Sequence, residues 1–323
     1  MLTGFVFENR RLQQSPLDKD APLPNAWVWV DLVSPTAEER LLVESSYDQQ
    51  LPSTEELEEI EDTARFYTDE RGLHIHSYFI DDADLAFQED AEQPPKKVTA
   101  SFTVNNGRLF TVHEVDLADF RMFRLRARRR RGIGEDGLAV MLGLFETKVD
   151  LLADLLEELY NKLEEASCKV FSEDEQDMDN LLGLITRFED LNGKIRLVLL
   201  DTQRAVRFLL RHAHLDEQGH QTALELLRDI DSLMPHTGYL FEKVNFLMDA
   251  ATGMINVEQN RIIKVMTLAS VVFLPPTLIA SIYGMNFRLM PELGWPAGYP
   301  LALGAMVLSA IAPYWLFKHK GWL

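Results

Sequence analysis

The chain has 323 residues, 46% of them hydrophobic, with 51 acidic against 32 basic residues and a formal net charge of −19 at pH 7. That length and apolar content suffice for a soluble domain plus membrane spans, while the acidic surplus repels nucleic-acid phosphates, so no nucleic-acid partner is expected. The single cysteine, Cys168, excludes an internal disulfide framework and fits a reducing compartment.

The opening MLTGFVFENRRLQQSP lacks the apolar run of a secretory signal, so the large N-terminal part is expected to stay in the cytosol. Residues 4–8 and 26–33 have β-rich content and read as strands, separated by a polar, Pro-rich linker. Ser34-Pro35 is expected to open a helix, with Ser as cap and Pro at the first helical position. Ser53-Thr54-Glu55-Glu56 supplies a capping box for another. Residues 65–68 and 73–80 flank a Gly72 turn. Residues 98–104 and 108–113 flank Asn106-Gly107, a strong two-residue hairpin signal. A mixed α/β domain over residues 1–115 follows from these elements.

The period then changes. Residues 138–172 and 178–214 are long, acidic and amphipathic with no proline, and predict an antiparallel helix pair around residues 172–177. A third long helix begins after Gln218, is punctuated by Pro235, and continues from about Thr237; Gly253 alone does not stop it. The expected divisions are a long-helix region over 116–235, a stalk helix over 236–265 and a transmembrane domain over 266–323. The fold class is an α+β membrane protein.

Residues 266–283 are eighteen positions without a formal charge, close to the roughly 20 that a helix needs to cross a bilayer. The first span is placed at about 266–284. At about 100° per residue, Asn260, Ile263, Thr267, Ser270, Leu274, Thr277 and Ser281 share an arc of about 80–100°. One polar face inside a membrane reads as a water or ion path. The plainer alternative is that Ser and Thr bond a carbonyl one turn back or sit at a tight helix contact. Pro275-Pro276 frees the carbonyls of Val271 and Val272 and reads either as a hinge beside Leu274 or as a tolerated kink.

The span ends in Tyr283-Gly284-Met285-Asn286-Phe287. Gly284 is expected to release the helix through a left-handed or otherwise permissive conformation, leaving Met285 and Asn286 in non-helical backbone at the membrane surface. A second span at about 300–318 has Tyr299 and Trp322 as interfacial anchors, with Ala305, Ser309 and Ala312 on one side for close packing. Residues 251–323 hold Glu258 and Glu292 against Arg261, Lys264, Arg288, Lys318 and Lys320, a net +3 that leaves −22 on the first 250 residues. Arg261 and Lys264 before the first span and Lys318 and Lys320 after the second put both termini on the cytoplasmic side. Two helices cannot enclose a hydrated path, so several copies of the chain must contribute the stripe.

YGMNF followed by MPEL, a short loop, a second span and a Lys-rich C-terminus resembles the CorA family of magnesium channels. The similarity extends to residues 260–276 and to the N-terminal Phe7-Glu8-Asn9-Arg10-Arg11-Leu12. The resemblance implies a homopentamer in the bacterial inner membrane, first spans innermost, carrying Mg²⁺ and also Co²⁺ or Ni²⁺. It implies no catalysis. Gly284, Met285 and Asn286 become the selectivity filter, and Asn260, Ile263, Met266, Thr267, Ser270, Leu274, Thr277 and Ser281 line the pore. Mg²⁺ sheds water reluctantly, so a ring of Asn286 amide oxygens is expected to accept hydrogen bonds from the ion's own water shell. Family members close when cytosolic Mg²⁺ fills acidic sites between subunits; Asp81, Asp82, Asp84, Asp229 and Asp231 are the regulatory metal ligands proposed here in that role.

Two other functions compete. A zinc transporter of the same superfamily typically carries Gly-Ile-Asn where this chain has Gly-Met-Asn. A membrane-anchored metal sensor or enzyme would use the acidic domain with His74 and His76, but it leaves the polar stripe without a role. The run of arginines from Arg124 to Arg131 has the charge to bind phosphate, though so acidic a surface offers it many carboxylates.

Overall fold

The computed structural model describes residues 1–9, 11–15, 22–52, 65–81, 83, 87, 94–129, 135–171, 178–286 and 290–320. Two compact units emerge, Met1–Met248 and Asp249–Leu323.

The first unit is built on a seven-stranded sheet of β1 (Leu2–Glu8), β2 (Arg11–Ser15), β3 (Trp29–Val33), β4 (Phe66–Asp69), β5 (Gly72–Asp81), β6 (Lys96–Asn105) and β7 (Arg108–His113), in the order β2-β1-β3-β7-β6-β5-β4. All neighbours are antiparallel except β3 and β7, which run parallel. The two hairpins expected around Gly72 and Asn106-Gly107 form. Asn106 and Gly107 both take positive φ, 49° and 75°, the backbone twist that matches two right-twisted strands. The centre of the sheet is aromatic: Trp29 stacks on Phe5 at 4.3 Å and meets Phe123 edge-on at 5.7 Å.

Two expectations for the N-terminal region are corrected. The polar stretch after β1 is not all linker: Arg11–Ser15 pairs antiparallel with β1, Glu8 opposite Arg11, with Asn9 at φ 51°. A tight hairpin at the sheet edge tolerates polar side chains that composition alone reads as loop. Helix α1 (Ala37–Tyr47) is capped not by Ser34 but by Thr36, whose side chain accepts from the Glu39 N–H while Glu39 reaches back, a complete capping box. Ser34 instead sits at φ 41°. The helix predicted from Ser53 lies outside the described residues.

Among the described residues the helices α2 (Ala118–Arg129), α3 (Gly137–Val170), α4 (Met178–His212) and α5 (Glu217–Tyr283) come next. α3 and α4 pack on each other, and α4 lies along β5, which is buried at eight consecutive positions. Lys148 of α3 and Asp201 of α4, nearly equidistant from the 172–177 connection, both bond Ser77 of β5, as an antiparallel pair requires. The connection itself lies outside the described residues. α5 is one helix: Pro235 does not end it, nor does Pro275-Pro276.

The second unit holds the C-terminal part of α5, a short 3-10 turn (Pro291–Gly294) and α6 (Gly298–His319). These two helices, α5 and α6, are long and apolar enough to cross a membrane, and the apolar window of neither is buried.

Candidate functional site

Along the membrane stretch of α5, exposure divides the helix in two. Leu268, Val271, Val272, Pro275, Pro276 and Ile279 are half-buried, at the three- and four-residue spacing of one helix face. Asn260, Ile263, Met266, Thr267, Ser270, Leu274, Thr277 and Ser281 are all exposed, with Ile263 at 60% and Leu274 at 65%. At about 100° per residue the two sets occupy opposite sides of the helix. On α6 the half-buried positions are Ala302, Met306, Ser309, Ala310, Pro313 and Phe317. Ser309 was expected on that side, but Ala305 and Ala312 are exposed and Met306 and Ala310 take their place. The half-buried faces of the two spans therefore hold no member of the polar stripe.

The hydroxyls of the stripe behave as short polar side chains do in a helix. Ser270 Oγ donates to the Met266 carbonyl at 2.9 Å, and Thr277 Oγ1 donates to the Phe273 carbonyl at 2.7 Å. The proton is thus committed one turn back, and what each oxygen presents outward is acceptor capacity.

The helix ends at Tyr283, and of the two routes expected of Gly284, left-handed or otherwise permissive, it is not the left-handed one. Among described glycines only Gly72 and Gly107 have positive φ. Gly284 N–H still donates to Ala280 O at 2.9 Å, and Met285 N–H donates to Ile282 O at 3.2 Å, a three-residue step that tightens the last turn. Glycine is used here for closeness: a Cβ on it would lie 3.2 Å from Ala280 O. Met285 and Asn286 follow in non-helical backbone, both exposed.

Of the proposed regulatory carboxylates, Asp81 ends β5 half-buried, opposite Lys96 in register. Asp82 and Asp84 lie outside the described residues. Asp229 and Asp231 are exposed on α5, and Asp231 accepts from Gln203 Nε2 at 2.6 Å. Among the described residues of one chain, no three His, Cys, Asp or Glu side chains are placed to hold a metal ion.

His74 and His76 do share a face, but both are buried in the sheet. His74 is held between Thr103 Oγ1 at 3.1 Å and Asp69 Oδ1 at 3.0 Å, with Tyr67 stacked on its ring at 4.5 Å. That is the environment of a satisfied core histidine.

Sequence reading missed two buried charge clusters that hold the first unit together. In one, Asp201 Oδ2 accepts from Ser77 Oγ at 2.7 Å and from Tyr78 N–H at 2.8 Å, while Arg65 lies 2.8 Å from Oδ1 and Lys148 Nζ donates to Ser77 Oγ at 2.8 Å. Burial pushes the Lys148 ammonium down to about 8 against the pull of Asp201 and Asp119, and pushes the Asp119 carboxyl up to about 6 against Lys148. In the other, Asp31 receives His113 Nε2 at 2.9 Å, Thr111 Oγ1 at 2.6 Å and Arg124 Nη1 at 3.1 Å. A lone Asp inside the apolar WVDLV strand was the available signal for the second; nothing local marks the first, whose members are far apart in the chain.

A family model described as CorA-like Mg2+ transporter protein matches residues 24–319. The chain is 50% identical to the magnesium transport protein CorA of Escherichia coli (strain K12) and 49% identical to that of Salmonella typhimurium, covering all of both partners in each case. Among solved structures it is similar to the complete CorA magnesium transporter of Methanocaldococcus jannaschii, with a TM-score of 0.73 at 19% identity over 100% of this chain and 99% of that one. It is also similar to the full-length CmaX protein, with a TM-score of 0.68 at 15% identity over 98% and 96%.

Proposed function

The chain belongs to the CorA-like Mg2+ transporter family, and from that premise we propose that it conducts Mg²⁺ across a membrane through a pore that copies of α5 surround. Transport is the activity in the printed names of its 49–50% identical relatives, and transport proteins are not enzymes. The single observation that carries the pore is the division of α5: every residue of the polar stripe lies on the face left uncovered within the chain. Exposed hydroxyls and an amide are costly against hydrocarbon and favourable against water, so that face needs a wet axis supplied by further copies of the chain.

The ion enters past Asn286. A ring of neutral amide oxygens accepts hydrogen bonds from the hydration shell, selecting by the size and geometry of the hydrated ion while binding it weakly enough to release it. The oxygens of Ser281, Thr277, Ser270 and Thr267 continue the same contact with water. Leu274, Met266 and Ile263 are apolar constrictions that close by dewetting. Co²⁺ and Ni²⁺ share the octahedral water shell and follow the same route. The assembly is a pentamer with both termini cytoplasmic, and Asp81, Asp82, Asp84, Asp229 and Asp231 form its inhibitory Mg²⁺ sites between subunits. Among the described residues of one chain no three such groups come together, which fits sites that a second copy completes.

The test is uptake by purified protein in lipid vesicles, comparing Mg²⁺, Co²⁺ and Zn²⁺. Asn286→Ala should abolish Mg²⁺ flux while the protein still inserts and assembles; unimpaired flux removes the filter role. Zn²⁺ flux in preference to Mg²⁺ replaces this reading with that of a zinc transporter.

A further inference from the structure

The arginine run of α2 has a member that neither transport nor the local ion pairs account for. α2 reads ADFRMFRLRARR, five arginines against one aspartate, inside a chain with a large acidic excess. Three of the five are neutralised where they stand: Arg121 by Asp116, Arg124 by Asp116 and Asp31, Arg126 by Asp150. Arg128 is different. Its Nη2 donates to the neutral amide oxygen of Gln14 at 3.2 Å, across from the edge strand β2.

Arg128 lines a pocket of about 570 Å³ together with Thr3, Arg11, Gln13, Gln14 and Ser15. Among the described residues, two guanidinium groups and no carboxylate line it, an unusual balance in a chain this acidic. Arg11 Nε is buried there with no hydrogen-bond partner among the described residues. A buried N–H of a charged group left without an acceptor is a rarity that asks for an acceptor. Around the two arginines stand two side-chain amides and two hydroxyls, all able to donate.

We propose that this pocket between β2 and α2 binds a phosphoryl group. Guanidinium forks match the paired oxygens of a phosphate and remain charged at any physiological pH, and neutral amides and hydroxyls satisfy the remaining oxygens. The volume exceeds what one oxyanion fills and lies in the range of small-metabolite sites, so the natural ligand is a phosphate ester. The site is independent of the transport reading.

Isothermal titration of the full chain in detergent tests this with two probes, inorganic phosphate and AMP, both weak Mg²⁺ chelators. Both should bind wild type, AMP more tightly; equal affinity assigns the site to the free anion. Arg11→Ala with Arg128→Ala should weaken binding by about tenfold or more. Arg126→Ala, whose guanidinium is committed to Asp150, should leave it within about twofold. If the alanine pair fails to fold, Arg11→Lys with Arg128→Lys keeps the charge but removes the forks, and should still weaken binding by about threefold or more. No heat with either probe on wild type, or equal affinity in a folded double variant, overturns the proposal. Because the readout is heat and not flux, failure leaves magnesium transport untouched.

Discussion

Thr277 donates its hydroxyl proton to the carbonyl of Phe273 at 2.7 Å, one turn back along α5. The plain structural reading of a membrane threonine holds for this residue and is compatible with the proposed pore role, because a hydroxyl has two further lone pairs after its proton is spent. Thr277→Val keeps the shape and removes the oxygen. Loss of one such acceptor is worth ~1 kcal/mol, so Mg²⁺ flux in vesicles should fall about fivefold, with Thr277→Ser near wild type. Equal flux in the valine variant would take Thr277 off the ion path.

Gly284→Ala probes the end of the same helix. Its φ is not positive, so alanine is conformationally acceptable, but the new methyl meets Ala280 O at 3.2 Å and Ser281 O at 3.6 Å. The last turn must shift by a few tenths of an ångström, which moves Asn286. Assembly measured by size exclusion should be unchanged, while Mg²⁺ flux falls about threefold to tenfold, ~1 kcal/mol in the barrier.

Asp201 and Lys148 share Ser77 yet should respond in opposite ways. Asp201→Ala leaves Arg65 as a buried cation without its counter-charge and Lys148 with Asp119 alone, and should cost about 3–5 kcal/mol in denaturant unfolding. Lys148→Met removes a buried cation whose ammonium burial already disfavours, with Phe79 and Phe145 beside it to receive an apolar chain. It should be neutral or mildly stabilising.

His113 gives the fold a pH dependence of defined sign. Its Nε2 faces Asp31 Oδ1 at 2.9 Å and its Nδ1 faces the Val115 carbonyl at 2.6 Å, so both ring nitrogens are positioned to donate. Burial and Arg124 push its pKa down, but Asp31 and the Val115 carbonyl outweigh them and the net shift is upward from 6.5. The folded state then holds its proton more tightly than the unfolded chain. That stability is fully present below about pH 6.5 and is lost as pH rises through the raised value. Melting temperature should therefore fall between pH 6 and 8, and His113→Gln should remove most of that slope.

Asp229→Lys with Asp82→Lys tests the proposed sensor. Mg²⁺ influx into vesicles preloaded with Mg²⁺ should become less inhibited by the internal ion; unchanged inhibition discards these positions.

Sequence alone determined the local and periodic features. Asn106-Gly107 set its hairpin because only residues tolerant of positive φ close that turn, and the long helices and both spans followed from side-chain period and uncharged length. The GMN motif identified the family because it ends the first of two spans. The sequence also marked the polar stripe of α5, since one helix suffices to define a face. What tertiary structure decided were relations between distant positions. That Arg11–Ser15 is a strand depends on the β1 edge that receives it. Asp201 and Lys148 meet only because α3 and α4 fold back onto β5. The stripe on α5 is the uncovered face because the opposite face is the one half-buried within the chain. Covered and open sides, unlike periodicity, are properties of packing, and packing is set by residues too far apart in the chain for any local pattern to record.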